Sequence, residues 1–156
     1  ILNQFNNPSN YIAHFKTAEE ILEDVPNVDA IVACIGTGGT IMGLSKYFKS
    51  HNKNIKIFGI EPSESPLLTK GKSASHKIQG IGANFIPPLI DLNYIDELIL
   101  VPSDEAIKYQ HLLVKNEGIL LGISSGAALY GAIKVAKKYH FKNILFICPD
   151  SGDRYL

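Results

Sequence analysis

The sequence predicts an α/β fold in which an open, mostly parallel sheet is flanked by helices. Short apolar runs rich in β-branched residues alternate along the chain with longer segments that have helical spacing. The run at 31–35 is short enough for a strand that is buried on both faces. A glycine-rich turn follows this run at once and leads into a helical segment, which is the order found in parallel sheets.

The remaining elements follow from the same two periodicities and from their end signals. Thr17 with Glu20 has the pattern of a capping box, Ser103 is expected to cap a later helix, and Gly118 comes just past the end of that helix. The long segment 63–95 is predicted to be functional or to hold short helices. Strands are predicted at 31–35, 55–60, 97–101 and 143–148, with a further one at 1–5, and helices at 17–25, at 103–116, at 125–139 and directly after the glycine turn.

Composition limits the classes of partner. Fifteen basic and fifteen acidic residues leave the chain formally neutral, which argues against nucleic acid or an anionic membrane as the main partner. No apolar run approaches the roughly 20 residues that span a bilayer. Cys34 and Cys148 lie in strand-like runs, so we expect buried, reduced thiols, which suit a cytoplasmic protein. The five histidines lack metal-ligand spacing, and we expect no metal site.

The segment Gly36-Thr37-Gly38-Gly39-Thr40 carries the clearest sign of a ligand site. It ends a predicted strand and begins a helix, whose first N–H groups are unpaired and lie at the positive end of the helix dipole. Glycines let the backbone close around an anion, and the threonine hydroxyls can add donors. We therefore predict a phosphate-binding loop. The alternative is a tight turn in which the glycines serve backbone geometry alone.

Two other familiar motifs fit less well. A dinucleotide-binding fingerprint would use Gly36, Gly38 and a later acid such as Glu61, but Ile41 occupies the place of the third glycine. A Walker A loop is excluded because no Gly-Lys-Ser/Thr follows.

The segment 122–126 matches the G-x-S-x-G pattern of serine hydrolases. In that pattern an acid and then a histidine must follow the serine, whereas here His140 precedes both Asp150 and Asp153. The order argues against a hydrolase. Ligands of open α/β sheets bind beyond the carboxyl ends of the strands, so we expect four glycine-bearing segments to meet there: 36–40, 80–83, 122–126 and 149–152.

Six motifs in order along the chain resemble the cysteine synthase (O-acetylserine sulfhydrylase) family. This family belongs to the fold-type II pyridoxal-phosphate enzymes, with a tryptophan-synthase-β-like fold, and cystathionine β-synthase is close to it. The motifs are Q-F-x-N-P at 4–8, G-T-G-G-T at 36–40, G-I-E-P-S-E-S-P at 59–66, H-K-I-Q-G-I-G-A at 76–83, G-I-S-S-G-A-A at 122–128 and S-G-x-R-Y-L at 151–156.

The resemblance implies roles for individual residues. The loop at 36–40 would hold the phosphate of pyridoxal 5′-phosphate, Ser124 would hydrogen-bond the ring nitrogen, and Gln4 would help to hold the substrate carboxylate. Without the resemblance, Ser124 would be interpreted as a helix N-cap and Gln4 as an ordinary residue at a strand end. The substrate side would be lined by Gly80, Ile81, Gly82, Ala83 and Asn84.

The activity that the resemblance implies is a transferase reaction, the formation of L-cysteine from O-acetyl-L-serine and sulfide by β-replacement. The enzyme would be a homodimer, and its cleft would also receive the C-terminal tail of serine acetyltransferase. The alternatives are a related enzyme that acts on cysteine or serine, cystathionine β-synthase-like or sulfide-releasing, and a non-catalytic binding module.

Two departures from the family pattern matter. The lysine that attaches the cofactor and a Thr-Ser-Gly-Asn loop lie in the N-terminal half of the family, and nothing in this sequence matches them. We therefore expect no catalytic residue here, and we expect residues 1–156 to be one domain of a longer protein, inactive alone. Asn84 stands where the synthases usually have glycine, which leaves the exact substrate open.

Overall fold

The computed structural model describes residues 3–51 and 53–155 of the chain. Apart from the strand predicted at 1–5, the predicted helices and strands follow one another in the expected order. Their bounds are α1 Ser9–Asp24, β1 Ala30–Cys34, α2 Gly39–Ser50, β2 Lys56–Pro62, α3 Leu67–Lys70, β3 Glu97–Val101, α4 Ser103–Glu117, α5 Ile123–Tyr139 and β4 Ile144–Phe146, with short 3₁₀ helices at Leu92–Tyr94 and Gly152–Tyr155.

The four strands form one parallel sheet in the order β3-β2-β1-β4, which confirms the predicted fold class. In β1, Ala30 pairs with Lys56 of β2 on one side and with Ile144 of β4 on the other. Because β1 is paired on both edges, the segment that follows it lies near the middle of the carboxyl edge of the sheet.

Helices cover both faces of the sheet, and each face has its own apolar cluster. Side chains of β1 alternate between the two clusters: Ile31 packs with α1 and α2, whereas Val32 packs with α4 and α5. The largest fully buried side chains include Phe48 of α2 and Phe58 of β2. Each contributes about 1.5–3 kcal/mol by leaving water, so packing of this kind stabilises the framework that carries the edge loops.

Small residues let α5 approach its neighbours closely. A Cβ on Gly131 would overlap the Ile60 side chain of β2, and a Cβ on Gly126 would overlap the backbone of α4 at Ala106. The start of α5 is therefore held close to both the sheet and α4.

Two predictions for the N-terminal region are wrong. Helix α1 begins at Ser9, eight residues before the predicted cap, so Thr17 lies in its interior and the capping-box pattern has no capping role. Tyr11, in the early part of α1, packs against the core, and this tertiary contact extends the helix beyond the local signal. Residues 4–6 are in a turn in which Asn3 O accepts from Asn6 N at 3.0 Å, so Gln4 is not at a strand end. Residues 1 and 2 lie outside the described residues.

The C-terminal end of α4 agrees with the prediction from the sequence, whereas its N-terminal cap does not. Gly118 ends the helix with φ of 69°, as predicted. Ser103 is not the cap, because its own backbone N–H is accepted by Glu64 Oε1 at 2.8 Å. The Ser103 hydroxyl instead accepts from Lys77 N at 3.0 Å. A side chain from another segment thus supplies the cap that the sequence assigned to Ser103.

Three further expectations can be compared with the structure. The segment 63–95 does hold short helices, namely α3 and the 3₁₀ helix at Leu92–Tyr94. Cys34 is half-buried, but Cys148 is exposed, because β4 ends at Phe146 before reaching it. Of the helices in the described part of the chain, none is both long and apolar enough to cross a bilayer.

Candidate functional site

The loop at 36–40 lies at the carboxyl end of β1 and forms the first turn of α2. The helix begins at Gly39, so Gly39 and Thr40 already belong to α2, and Gly38 is its N-cap with φ of 87°. Gly38 is the one position in the loop where the backbone itself favours glycine, because its conformation is left-handed. Gly38 O accepts from Met42 N at 2.9 Å, which starts the helical hydrogen bonding. Of the N–H groups before Met42, Gly39 N donates to Thr37 Oγ1 at 3.2 Å, and the others lie at the helix start, where helical partners are lacking.

Close neighbours explain the other glycines of the loop. A Cβ on Gly36 would lie 2.5 Å from the carbonyl oxygen of Gly80, and a Cβ on Gly39 would overlap the side chain of Asn10. The glycines therefore serve tight packing, as the turn alternative proposes. The positive end of the helix dipole makes the same loop suitable for an anion, since no acidic residue lies in the first turn of α2.

Side chains of α1 contact both threonine hydroxyls of the loop. Asn10 Nδ2 donates to Thr37 Oγ1 at 3.0 Å and to the carbonyl oxygen of Gln4 at 2.7 Å. His14 Nε2 lies 3.2 Å from Thr40 Oγ1, and its Nδ1 lies 3.3 Å from Thr17 Oγ1. Burial lowers the pKa of His14, so the neutral ring is favoured.

Asn10 and His14 were not predicted to be site residues. They are four residues apart and therefore share one face of a helix. Their four-residue spacing could have indicated a shared helix face, but only if both residues had been placed in α1. They were not, because the helix was predicted to begin at Thr17.

The segment 80–83 reaches the end of β1, as expected. Gly82 N donates to the carbonyl oxygen of Ile35 at 3.1 Å, and Gly80 lies against Gly36. His76 supports this segment from outside, because its Nε2 lies 3.1 Å from the carbonyl oxygen of Gly82. Ile81, Gly82 and Ala83 are half-buried here, while Gly80 remains exposed.

The start of α5 and the segment after β4 also meet at this edge. Cys34 Sγ, at the end of β1, donates to the carbonyl oxygen of Ser124 at 3.2 Å. Gly122 N donates to Asp150 O at 3.1 Å, and Ser124 Oγ donates to Asp150 Oδ1 at 3.4 Å. All four glycine-bearing segments are thus joined by contacts around the end of β1.

Ser124 is buried inside the first turn of α5 and does not cap it. The N-cap is Gly122, and the helix has no side-chain cap. The interpretation of Ser124 as an N-cap is therefore wrong. Its buried hydroxyl donates to the Asp150 carboxylate instead of capping the helix N-terminus.

The two thiols beside this region are unsuited to nucleophilic chemistry. Burial raises the pKa of Cys34, and the charges of Cys148 and Asp150 act in the same direction. The pKa of Cys148 is raised as well, because its thiol is partly screened from solvent although the residue as a whole is exposed. Both thiols are protonated at neutral pH, whereas the thiolate is the reactive form.

Gln4 and Asn84 are both exposed, and a ring contact joins their segments. Phe5 and Phe85 pack edge to face with their ring centroids 4.9 Å apart. Because each ring is adjacent in sequence to one of the two polar residues, the pair brings the Gln4 turn and the 80–84 segment to the same side of the loop at 36–40.

The structure also explains why two alternative motifs have other roles. Glu61 is buried and accepts from the backbone N–H groups of Leu68 and Thr69, so it holds the start of α3 rather than a ribose. His140 is the C-cap of α5, at the opposite end of that helix from Ser124, and the two cannot form a catalytic pair. Within 3–51 and 53–155, no group of three His, Cys, Asp or Glu side chains could hold a metal ion.

Comparison with known proteins places these features in one family. Residues 1–150 match the family described as pyridoxal-phosphate dependent enzyme. The chain is 49% identical over 168 residues to cysteine synthase of Buchnera aphidicola (subspecies Acyrthosiphon pisum), covering 100% of this chain and 53% of that protein. It is 48% identical over 158 residues to cysteine synthase B of Campylobacter jejuni, with 100% and 52% covered.

A solved structure agrees with the sequence matches. O-acetyl serine sulfhydrylase isoform 3 from Entamoeba histolytica superposes with a TM-score of 0.95 at 41% identity, covering 99% of this chain and 47% of that chain. The chain spans about half the length of the curated relatives that it matches. With a family match over nearly all of its residues and the same arrangement of sheet and helices, the chain belongs to the pyridoxal-phosphate-dependent enzymes.

Proposed function

We propose that residues 1–156 form the phosphate-binding domain of a cysteine synthase, which makes L-cysteine from O-acetyl-L-serine and sulfide. The observation that carries this proposal is the G-T-G-G-T loop at the start of α2, with the segments of Gly80 and Ser124 held against the same strand end. The names of the relatives support the same activity.

The residues at this edge fit pyridoxal 5′-phosphate. A phosphate dianion suits the start of α2, where backbone N–H groups and two threonine hydroxyls lie at the positive end of the helix and the first turn contains no acid. When bound, the cofactor supplies the electron sink that removal of a proton from the substrate Cα requires. The protein contributes position and electrostatics.

Each site residue has a proposed task. Gly36, Thr37, Gly38, Gly39 and Thr40 bind the phosphate through backbone N–H groups and hydroxyls. Ser124 hydrogen-bonds the ring nitrogen, for which its hydroxyl proton turns away from Asp150. Gln4 helps to bind the substrate carboxylate. Gly80, Ile81, Gly82, Ala83 and Asn84 line the substrate side. None of the residues 1–156 is assigned to proton transfer or covalent attachment, which belong to a lysine outside this sequence.

The assembly and location of the protein are part of the proposal. We propose a homodimer in the cytoplasm whose cleft also receives the C-terminal tail of a serine acetyltransferase. Exposed apolar side chains beside the end of α4, at Val114, Ile119 and Leu120, support an interface with another polypeptide. Light scattering of the full-length protein, with and without an acetyltransferase tail peptide, tests both partners.

Substrate competition tests the activity directly. Full-length protein loaded with cofactor is given O-acetylserine and sulfide in one reaction, and cysteine or serine in another, with products identified by mass spectrometry. We expect the highest kcat/KM for cysteine formation from O-acetylserine. A higher kcat/KM for sulfide release from cysteine would overturn this assignment in favour of a sulfide-releasing relative. Absence of turnover with bound cofactor would identify a binding module.

A further inference from the structure

We propose that Asn10 and His14 of α1 are positioning residues for the phosphate. Asn10 donates to the Thr37 hydroxyl, and His14, as the Nε2–H tautomer, donates to the Thr40 hydroxyl beside it, so both hydroxyl protons turn toward the anion. This inference rests on the proposed function, since the anion is taken to be the cofactor phosphate. In this proposal, two side chains on one face of α1 do not contact the phosphate themselves. They set the direction in which the hydroxyl groups of Thr37 and Thr40 donate.

The hydrogen bonds of Thr37 leave its hydroxyl proton only one use. Its Oγ1 accepts from Gly39 N at 3.2 Å and from Asn10 Nδ2 at 3.0 Å. A hydroxyl oxygen has two lone pairs and one O–H. Both lone pairs are occupied by protein donors, so the O–H must be donated to a further acceptor, and an anion at the start of α2 provides one.

The direction of the Asn10 bond follows from its second partner. Asn10 Nδ2 lies 2.7 Å from the carbonyl oxygen of Gln4, which can only accept. The reversed amide would place Oδ1 against that carbonyl, with two acceptors facing one another. The amide nitrogen therefore lies on this side, and its two hydrogens serve Gln4 and Thr37 respectively.

His14 places the second threonine in the same state. A neutral imidazole has one donor and one acceptor nitrogen, and the Thr17 hydroxyl can donate to Nδ1 from 3.3 Å. With the proton on Nε2, the ring donates to Thr40 Oγ1, which lies 3.2 Å away; the opposite tautomer would reverse both hydrogen bonds. With its oxygen accepting from His14, Thr40 keeps its own proton for the anion.

The packing of α1 against α2 is built for these two contacts. Asn10 lies against Gly39 and His14 lies against Gly43, so each polar residue faces a glycine one turn apart on both helices. A Cβ on Gly43 would lie 2.5 Å from His14 Cβ, and one on Gly39 would overlap the Asn10 amide. The two glycines therefore allow α1 to approach closely enough for its side chains to reach the threonines.

Double-mutant cycles in the full-length protein test the proposal. Asn10→Ala, Thr37→Val and their combination form one set, and His14→Ala, Thr40→Val and their combination form another. Pyridoxal-phosphate Kd is measured by equilibrium dialysis, with thermal unfolding of each cofactor-free variant as a check on folding. Lys16→Ala, on the exposed side of α1, is the matched control and should leave the Kd unchanged.

We expect each single variant to raise the Kd by about tenfold, the loss of roughly one hydrogen bond to a charged group. Each double variant should bind pyridoxal phosphate as tightly as the corresponding threonine single variant, because the α1 residue acts only through that threonine hydroxyl. His14→Gln, which keeps a neutral N–H donor, should recover part of the affinity. If the Kd of a double variant rises by the product of the two single-variant increases, the two residues act independently. That result would overturn the proposal but would not contradict phosphate binding by the loop.

Nitrogen-15 NMR of the histidine rings gives a readout that does not depend on activity. We expect the Nε2–H tautomer of His14 in the cofactor-free protein, and an Nδ1–H tautomer would overturn the His14 half of the proposal. If wild-type protein failed to bind pyridoxal phosphate at all, the proposed function would fail first. That result differs from normal cofactor binding without coupling between the α1 residues and the threonines, which would overturn only the present inference.

Discussion

The Ser124 hydroxyl donates to the Asp150 carboxylate at 3.4 Å, which links the first turn of α5 to the segment after β4. A carboxylate therefore lies one hydrogen bond away from the hydroxyl proposed to face the cofactor ring nitrogen. A neutral hydroxyl does not stabilise a proton on that nitrogen, whereas a carboxylate within about 4–6 Å would. Ser124 has one hydroxyl proton for two acceptors, the Asp150 carboxylate and the proposed ring nitrogen, so its substitution has a defined expected effect.

We expect Ser124→Ala to keep much of the cysteine synthase activity of the full-length protein and Ser124→Asp to lose most of it. An aspartate would favour a protonated ring, which is a stronger electron sink and slows prompt loss of the β leaving group. Stopped-flow absorbance with O-acetylserine should show a long-wavelength band in the aspartate variant only. Because Asp150 would repel a second carboxylate, Ser124→Asp/Asp150→Ser is the matched comparison. If Ser124→Asp equals wild type in rate and spectrum, Ser124 does not face the ring nitrogen.

The phosphate loop should respond strongly to Gly38→Val. Gly38 has φ of 87°, and a Cβ there would lie 2.5 Å from Ile90 Cδ1, so the variant both strains the turn and displaces the loop. Thr37→Ala and Thr40→Ala should each weaken binding by about 1–2 kcal/mol. Gly118→Ala is the control, since its φ is 69° with no neighbour within 4 Å. It should reduce stability but leave the cofactor Kd unchanged; an unchanged Kd in Gly38→Val would refute the phosphate assignment.

The cap of α4 should make stability depend on pH through Glu64. Burial alone would raise the pKa of Glu64, but hydrogen bonds from Ser103 and Ser63 outweigh it and hold this pKa below its usual value. A depressed folded-state pKa contributes stability above the unfolded-state value of about 4.3, and that stability is lost as the pH falls through the folded-state pKa.

Urea unfolding at several pH values between about 7 and 3 should show this effect as a difference between wild type and Glu64→Gln. We expect the advantage of wild type at neutral pH to diminish on acidification, because the glutamine does not titrate. Glu19→Gln, on the exposed face of α1, serves as the control and should show no such difference. A wild-type advantage that persists unchanged at the acidic end would contradict the role of Glu64 as a charged cap.

Asn84 should influence the choice of substrate. It is exposed beside Phe85, which packs on Phe5 next to Gln4, and its amide can donate and accept where the synthases usually have glycine. We expect Asn84→Gly to raise kcat/KM for O-acetylserine relative to cysteine or serine. Asn54→Gly, in an exposed loop, is the control. Equal substrate ratios in wild type and Asn84→Gly would leave Asn84 as a turn residue.

Covalent labelling should find no attachment lysine among residues 1–156. We expect borohydride reduction of the cofactor-loaded full-length protein, followed by peptide mapping, to label a lysine outside this sequence. The expectation rests on the absence of the family's lysine motif here. Stoichiometric labelling of one lysine within 1–156, in protein that also turns over substrate, would contradict it.

Elements that depend on neighbouring residues were predicted well from the sequence, whereas elements that depend on contacts with distant segments were not. Strand β3 was predicted at 97–101 and is observed at Glu97–Val101, because apolar patterning reports burial directly. The start of α1 was missed by eight residues, since Thr17 and Glu20 imitate a cap while Tyr11 packs against the core and holds the earlier turns in the helix. Ser103 was misassigned for a related reason, as Glu64 comes from a distant segment.

The sequence by itself determined the parallel α/β class, the position of the loop at 36–40 and the glycine that ends α4, because hydrophobic periodicity and glycine conformation are properties of neighbouring residues. Only the tertiary structure decided that Asn10 and His14 contact the loop threonines, and that Asp150 lies beside Ser124. These contacts depend on how closely α1 packs on α2 and on where β4 ends. Such distances arise from close packing between segments far apart in the chain, and no local pattern encodes them.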